Sequence, residues 1–449
     1  MVVPQEISDR ILAECLNRPL AYSELQWLCD NVGGRTSGAE SGRKAEEWGR
    51  RYFTSLGLDR VRFEELPVTV WERGSLEVAV LEPAQWRVTA MAHGNAPSKF
   101  EGEAEVLDAG HAEKGDFERL GGAVKGKIVL CDEGVASGHR ALHRTEKLKL
   151  SVDAGAAGLM IYSSASGGLP RTGVCYYGEA PIPSMGISQE DGERLKRLIQ
   201  GGTTPSVRIA MRNSNSTGTA RNVIADITGS EKPEEVVMAG GHLDSWDISQ
   251  GATDNGLGSA IVMEMAHALS ALGKRPRRTL RFVLWAAEEV GLCGSKAYAA
   301  AHAGELDDMC GLLNFDMTGD PFGFWSPGRP EKHEMLSGLA EQLAGLGMKA
   351  DYEHKAGLHS DHQAFMLEGV PTFALMAKLE GQGGHYYHSV GDTFEKVSLP
   401  SLCRAAAVGA HLMWAIADAP ARPFARLDRE EIEKMIDDAD LREALAVEQ

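Results

Sequence analysis

The sequence predicts an α/β protein: a mixed, mostly parallel sheet flanked by helices and interrupted by a β-rich insertion. Three observations carry this expectation. From about residue 206 onward, apolar strand-like runs (NVIADIT, EVVMAG, TLRFVLWAA, GLLNF, PTFALM) alternate with helix patterns at 256–272, 294–303, 331–346 and 398–417. Strands alternating with helices of that length place a mostly parallel sheet between helical layers. From about 88 to 205 the texture changes to short β runs with Gly-rich turns, such as GAVKGKIVLCDEG and AGAAGLMIYSS, which read as a separate small core. Finally, 449 residues is length for two domains.

Taken in order, residues 5–30 read as helices, because Ile7, Ile11, Leu12 and Cys15, then Tyr22, Leu25 and Leu28, recur at helical spacing. A GGRTSG loop occupies 33–38. Its Arg35 reads as a surface arginine, with contact to a substrate carboxylate as the sharper alternative. A helix follows over 42–56 with Glu46, Glu47, Arg50 and Arg51 on its wet face. Residues 60–82 alternate like strands in two stretches, VRFEELPVTV and SLEVAVL. The expected division is 1–87, 88–205 and 206–449, the first and last parts forming one body around the insert. Within the insert, GKIVLC and LMIY are buried-strand patterns, and few polar residues converge. His139 and His143 sit four apart and read as surface histidines, because no carboxylate or cysteine accompanies them. The tail from Asp428 is a charged helix whose Ile432, Met435, Ile436 and Leu441 dock it on the body, without a functional signal.

The formal net charge of −18 makes nucleic acid and anionic membrane poor partners and leaves small substrates open. Seven scattered cysteines without a CxxC pair suit free thiols in a reducing compartment. The N-terminus has no basic stretch followed by an apolar one, so no signal peptide is read. The apolar run 405–417 contains His411 and is short for a membrane span. The expectation is a cytoplasmic protein with no membrane partner, or a secreted one if a leader has been removed.

Chemistry gathers at strand ends. The stretch VVMAGGHLDSWDISQGATDN runs from an apolar strand through Gly240 and Gly241 into His242, Asp244, Asp247 and Asp254, and then opens a helix. An α/β sheet builds sites at the carboxyl edge of its strands, although Gly, Asp and Asn are also ordinary loop residues. Glu288 and Glu289 follow TLRFVLWAA, and Asp316 follows GLLNF. His359, Asp361 and His362 precede PTFALM, and His385, Tyr386, Tyr387, His388 and Asp392 come after it. Neighbours in a strand point to opposite faces, so one glutamate of the pair can reach a metal while the other faces substrate. A solvated acidic turn is the plainer alternative. Imidazole and carboxylate suit Zn²⁺, and a carboxylate can bridge two ions. Three converging carboxylates without metal would repel and take up protons. Two Zn²⁺ and a shared hydroxide balance three carboxylates exactly in charge, which favours a paired site over a single zinc.

HLDSWD, Asp254-Asn255-Gly256, Glu288-Glu289, NFDM and HSVGDT, in this order and spacing, closely resemble the co-catalytic di-zinc aminopeptidase superfamily. That group holds aminopeptidase Y-like enzymes, carboxypeptidase Q (plasma glutamate carboxypeptidase) and prostate-membrane-antigen-like peptidases. The likeness is specific from about 206 to 418; GGRTSG and its helix resemble the N-terminal part of the family, and 88–205 resembles its inserted protease-associated domain. The resemblance implies a zinc exopeptidase fold of the phosphorylase/hydrolase-like kind, with two Zn²⁺ per chain. It implies that His242 and Asp316 hold one zinc, Glu289 and His388 the other, and that Asp254 bridges. Glu288 would be general base and proton shuttle, Tyr387 would stabilise the oxyanion, and Asp244 would orient His242 through its other ring nitrogen. The HSxxDT context selects His388 over His385 as the ligand.

The activity so implied is hydrolysis of terminal peptide bonds of short peptides by a hydroxide activated between two zinc ions, of aminopeptidase or of dipeptidase and carboxypeptidase type. Glutaminyl-cyclase-like acyl transfer on the same fold, with one zinc, is a second reading. A non-catalytic binding module is a third, against which all five ligand positions are kept. His359 and His362 read as pocket residues, and Met317 as pocket or core. Trp246, Trp285, Cys293 and His267 read as packing residues. The insert serves either as a lid limiting substrate size or as a contact in a homodimer.

Overall fold

The computed structural model describes residues 1–379 and 383–448. Three helices open the chain, α1 (Gln5–Asn17), α2 (Ala21–Asn31) and α3 (Glu40–Ser55). Each buries one apolar stripe: Ile7, Ile11 and Cys15 on α1, Leu25 and Leu28 on α2, Trp48, Tyr52 and Phe53 on α3. β1 (Asp59–Glu82) then runs out as one strand rather than two stretches. Its interruption at Arg73-Gly74 is absorbed as a shift in register between Glu72 and Ser75, the local kink of a bulge.

The chain next builds the insert: β2 (Trp86–Arg87), β3 (Ala90–Ala92), β4 (Lys99–Asp108), α4 (Lys114–Leu120), β5 (Ile128–Asp132), α5 (Arg144–Asp153), β6 (Gly158–Tyr162), β7 (Ser184–Ile187) and α6 (Gln189–Gln200). Strands β4, β5, β6 and β7 are parallel neighbours, with β3 antiparallel at the edge. Both faces are covered. Ile128, Leu130, Met160 and Ile187 join one apolar cluster, and Val129, Cys131, Leu159 and Ile161 join another. That is why GKIVLC and LMIY are continuous apolar runs and do not alternate. The chain returns on β8 (Ser206–Ile227), antiparallel to β1 from Glu82↔Ser206 to Asp59↔Asp226.

The second half alternates strand and helix as expected: β9 (Lys232–His242), α7 (Leu257–Ala271), β10 (Arg278–Trp285), α8 (Cys293–Ala301), β11 (Met309–Asn314), β12 (Asp320–Trp325), α9 (His333–Gln342), β13 (Asp351–Glu353), α10 (His362–Met366), β14 (Thr372–Lys378), α11 (Gly383–Tyr386) and α12 (Leu399–Ala417). The strand order is β13-β12-β14-β11-β9-β10-β8. β14, β11, β9 and β10 are parallel, and β12 and β8 are antiparallel on either side. The register sets Trp285 beside His242 and Asn314 beside Gly240. Gly240 is obligatory for packing, because a Cβ there would lie 2.2 Å from the Trp285 indole nitrogen.

Helix α7 is apolar nearly all round, and it is covered all round by β9, α1, α2 and α12. Ser398 caps α12, which carries a proline in its first turn. Among the described residues α12 is the one helix long and apolar enough to cross a membrane by length and composition, and 83% of that window is buried inside the molecule. The charged tail folds as two helices, α13 (Arg429–Asp438) and α14 (Arg442–Val447), and buries Met435, Ile436 and Leu441 as the pattern indicated. All seven cysteines are free.

Candidate metal centre

Three adjacent parallel strands deliver the cluster. His242 is the last residue of β9, Glu288 and Glu289 lie just past β10, and Asp316 lies just past β11. Their in-register ends bring residues far apart in sequence to one sheet edge. Asp254 enters from the turn that opens α7, through a cis peptide to Asn255. Two buried side chains hold that turn. The Asp392 carboxylate accepts the N–H groups of Thr253 and Asp254 at 2.8 and 3.0 Å. Asn255 donates to the Phe315 carbonyl at 2.8 Å and accepts the Met317 N–H at 3.2 Å, which ties the Asp254 turn to the Asp316 turn.

The result is two groups sharing one carboxylate. His242 Nε2 lies 3.2 Å from Asp254 Oδ1 and 3.4 Å from Asp316 Oδ1. His388 Nε2 lies 3.0 Å from Asp254 Oδ2 and 3.1 Å from Glu289 Oε2. Within each group the ligand-type atoms lie within 4.8 Å of one another. Glu288 Oε2 is 4.0 Å from His242 Nε2 and joins neither group.

Both imidazoles are oriented from outside. His242 Nδ1 faces the Asp244 carbonyl at 3.1 Å, and His388 Nδ1 faces the Thr172 carbonyl at 3.2 Å. A carbonyl only accepts, so each of these contacts favours a proton on Nδ1 and turns Nε2 to the cluster; at His388 the Arg144 guanidinium, which only donates, competes at 3.3 Å from the same Nδ1. The Asp244 carboxylate stands slightly farther from His242, at 3.7 Å, and accepts the backbone N–H of Glu288 and of Glu289 at 3.1 and 3.2 Å. It holds the turn that carries the glutamate pair.

The electrostatics call for positive charge. Burial by itself favours a neutral ring, yet Glu289 and Asp254 push His388 up to about 9. Glu288, Asp316, Asp244 and Asp254 likewise outweigh burial and raise His242 well above its ordinary range. Burial raises Glu288 well above the usual carboxylate range, with His242 opposing and Asp316 and Glu289 adding. Burial raises Glu289 too, and its Oε1 is buried with no hydrogen-bond partner. A divalent cation in either group would satisfy these carboxylates in place of protons, and the nitrogen and oxygen donors are those that zinc accepts.

A cleft of about 720 Å³ opens over the cluster. One wall comes from the body: Met317, Thr318, Trp325, Leu375 and Met376. The opposite wall comes from the insert: His143, Arg144, Val174 and Tyr177. Arg144, the first residue of α5, brings its guanidinium to 3.5 Å from the Tyr387 hydroxyl and 3.3 Å from His388 Nδ1. Among the described residues it forms no ion pair with a carboxylate. It lies over the backbone of Gly173, where a Cβ would come within 2.1 Å of Nη1. The Tyr387 ring stacks on His388 with centroids 3.7 Å apart.

Comparison with known proteins identifies this architecture. Residues 222–413 match the model of peptidase family M28, and residues 92–195 match the PA domain. Carboxypeptidase Q of Bos taurus is 32% identical over 407 residues, covering 89% of this chain and 85% of the relative. The chain belongs to peptidase family M28. It is a metallopeptidase, a hydrolase with an inserted PA domain. A peptidase M28 precursor from Shewanella amazonensis superposes with a TM-score of 0.83 at 27% identity, over 95% of this chain and 99% of the other. BSAP, a zinc aminopeptidase from Bacillus subtilis, shares the fold, with a TM-score of 0.67 at 23% identity over 92% and 98% of the two chains.

Measured against the sequence reading, this M28 peptidase brings together His242, Asp254, Glu288, Glu289, Asp316, Tyr387 and His388 at one cleft. His385 stays out of the cluster, with Nε2 3.1 Å from the Ser166 carbonyl. His359, His362 and Met317 line the cleft. Trp246 and Trp285 are buried, and His267 sits against Glu264 at 2.9 Å.

Two readings are corrected. Arg35 is neither at the surface nor in the cleft: it is fully buried and donates to the carbonyls of Gly33, Leu243, Gln250 and Gly251, bracing the loop after His242. Its loop neighbours are all carbonyl acceptors, which a bare GGRTSG does not reveal. His143 is not a surface partner of His139. It caps α5 and stacks on His359 at 4.2 Å, while His139 lies outside the helix and pairs with Glu113. With it, the insert turns out to carry cleft residues, Arg144 and Tyr177 among them. The one sequence signal was a histidine followed by an arginine at the head of a helix with Glu146 in the capping position.

Proposed function

We propose that this peptidase is a two-zinc exopeptidase that cleaves short peptides with a free C-terminal carboxylate, in the manner of a dipeptidase or carboxypeptidase. The observation that carries the two-ion reading is the division of Asp254, one oxygen to each group. His242 and Asp316 would hold one ion, Glu289 and His388 the other, with Asp254 between them. Bound there, the ions polarise the scissile carbonyl and acidify the attacking water.

The chain supplies the proton traffic. Glu288, buried at the cleft and outside both ligand groups, takes a proton from the water as its oxygen bonds to the carbonyl carbon. It returns that proton to the leaving nitrogen as the C–N bond breaks, so one water is consumed and two products leave. The Tyr387 hydroxyl donates to the developing oxyanion. Asp244 orients the pair of glutamates through their N–H groups.

Arg144 decides between the two directions of attack. A guanidinium with no carboxylate partner among the described residues, facing the cleft beside Tyr387 and His388, matches the fork geometry of a free carboxylate. We assign the insert, residues 88–205 between catalytic parts 1–87 and 206–449, to the substrate-recognising wall. The peptide partner follows from this, and neither nucleic acid nor membrane is needed. A panel of one dipeptide, its N-blocked form and its C-terminal amide tests the reading, together with zinc analysis. Two zinc per chain and selective loss on the amide are expected. One zinc, or selective loss on the N-blocked form, refutes it.

A further inference from the structure

We infer that Glu448 is a positioning residue that latches the insert onto the catalytic body and thereby sets Arg144 over the metal centre. The inference rests on the proposed role of Arg144 as the carboxylate-binding group. Glu448 follows α14 in a tail that carries no expected function, yet its side chain is only 6% exposed. Its Oε2 accepts from Gln363 Nε2 of α10 at 2.6 Å and lies 3.1 Å from Lys296 Nζ of α8. Its Oε1 lies 3.5 Å from His359 Nδ1 and makes no hydrogen bond. A long charged side chain loses rotamer freedom when it is buried, so three catalytic-domain partners converging on it mark a defined seat.

From that seat two arms reach the insert, and the tail itself adds a third. His359 stacks on His143, the cap of α5, at 4.2 Å, and the next residue after His143 is Arg144. Lys296 Nζ sits 5.8 Å from the ring centroid of Tyr177, which lines the same wall. Farther up the tail, Arg140 donates to the Asp440 carbonyl at 3.1 Å and grips Glu146, which in turn accepts the His143 N–H at 2.9 Å. Leu441 and Ala444 are buried, and α14 packs on α5. Gln363 also accepts the His359 N–H at 2.8 Å, and Ser360 donates to Asp316 Oδ2 at 2.6 Å, so the same loop touches both walls of the cleft. The tail thus holds the body's His359 loop and the insert's α5 in one arrangement.

The test uses the zinc-loaded full chain with Glu448→Gln, Lys296→Met, Arg144→Ala and the double variant Glu448→Gln/Arg144→Ala, assayed on a dipeptide and on its C-terminal amide. Glu448→Gln and Lys296→Met are expected to raise KM for the free acid roughly 3- to 30-fold, the range of coupling between groups in contact. In both variants kcat holds within about twofold, the amide is unaffected, and the KM effect of Glu448→Gln disappears in the Arg144→Ala background. Hydrogen exchange of α5 amides should quicken in both single variants while exchange in α7 stays put. An unchanged KM with unchanged α5 exchange overturns the latch. So does an equal loss on acid and amide, or an effect that persists without Arg144. If Arg144→Ala itself fails to separate acid from amide, the carboxylate reading falls, and the exchange of α5 alone then decides for or against the latch.

Discussion

Replacing Arg144 by alanine removes the one cleft cation whose guanidinium has no carboxylate partner among the described residues. It faces a region bounded by Tyr387 and His388, 3.5 and 3.3 Å away. Hydrogen bonds to charged groups are worth about 1.5–3 kcal/mol each, and every ~1.4 kcal/mol is tenfold. If the substrate carboxylate loses one such bond, kcat/KM on a free dipeptide falls about 10- to 150-fold; a bidentate contact extends the loss further. A C-amidated dipeptide never formed that interaction, so its kcat/KM stays within about threefold. Steady-state kinetics on the two substrates, with zinc measured on the same samples, reads the difference. Arg144→Lys keeps the charge without the fork and should fall between. Equal losses on acid and amide, or loss of zinc in the variant, would refute the assignment, because Arg144 would then be acting on the metal centre or on folding.

Other outcomes follow from the same geometry. Glu288→Gln should lower kcat about 10²–10⁴-fold, the reach of general acid–base catalysis, with zinc content unchanged; near-normal turnover would exclude Glu288 as the proton carrier. On the proposed two-ion site, Asp254→Asn should lower the zinc content most by direct metal analysis, because Asp254 offers an oxygen to each group, whereas Asp316→Asn should spare an ion at Glu289 and His388. Gly173→Ala puts a Cβ where Arg144 Nη1 now lies, 2.1 Å away, and should reproduce the acid-selective KM rise of Arg144→Ala; identical kinetics to the parent would place Arg144 elsewhere. In chelator-treated protein, His388 holds its proton to about 9 against an ordinary 6.5. Its stabilising effect is then fully present below pH 6.5 and lost as pH rises through about 9, on the order of 3 kcal/mol. Thermal unfolding of the chelated form should therefore weaken over that window while the zinc-loaded form does not follow it.

Some of this was legible because local chemistry declares itself. Apolar runs ending in Gly-Gly, Glu-Glu or Asp are strands that stop at a polar edge, and the helix periods between them require a sheet with covered faces. The long ribbon of β1 and β8 was half visible: the alternation was there, but Gly74 hid the continuity that a bulge restores. His385 and His388 are three residues apart and chemically identical. The motif around them chose between them, and their surroundings differ only in the folded chain, where one meets the Ser166 carbonyl and the other meets Asp254 and Glu289.

What the sequence alone determined was the alternation of strand and helix and the placing of metal-type side chains at strand ends, since both follow from residue type at short range. Who faces whom across the cleft was decided only by tertiary structure. Arg35 stands in a Gly-rich loop and Arg144 at the head of a helix, and neither stretch names the partners its guanidinium meets. Four backbone carbonyls, one from its own loop at Gly33 and three from the distant turn that holds Leu243, Gln250 and Gly251, close around the first, and the second is carried on a separate domain to the edge of the cluster. The same holds for Glu448, whose partners stand 85 and 152 residues away in the chain. A charge takes its role from the partners that replace water around it, and those partners are set by the packing of two domains against each other and a tail across both.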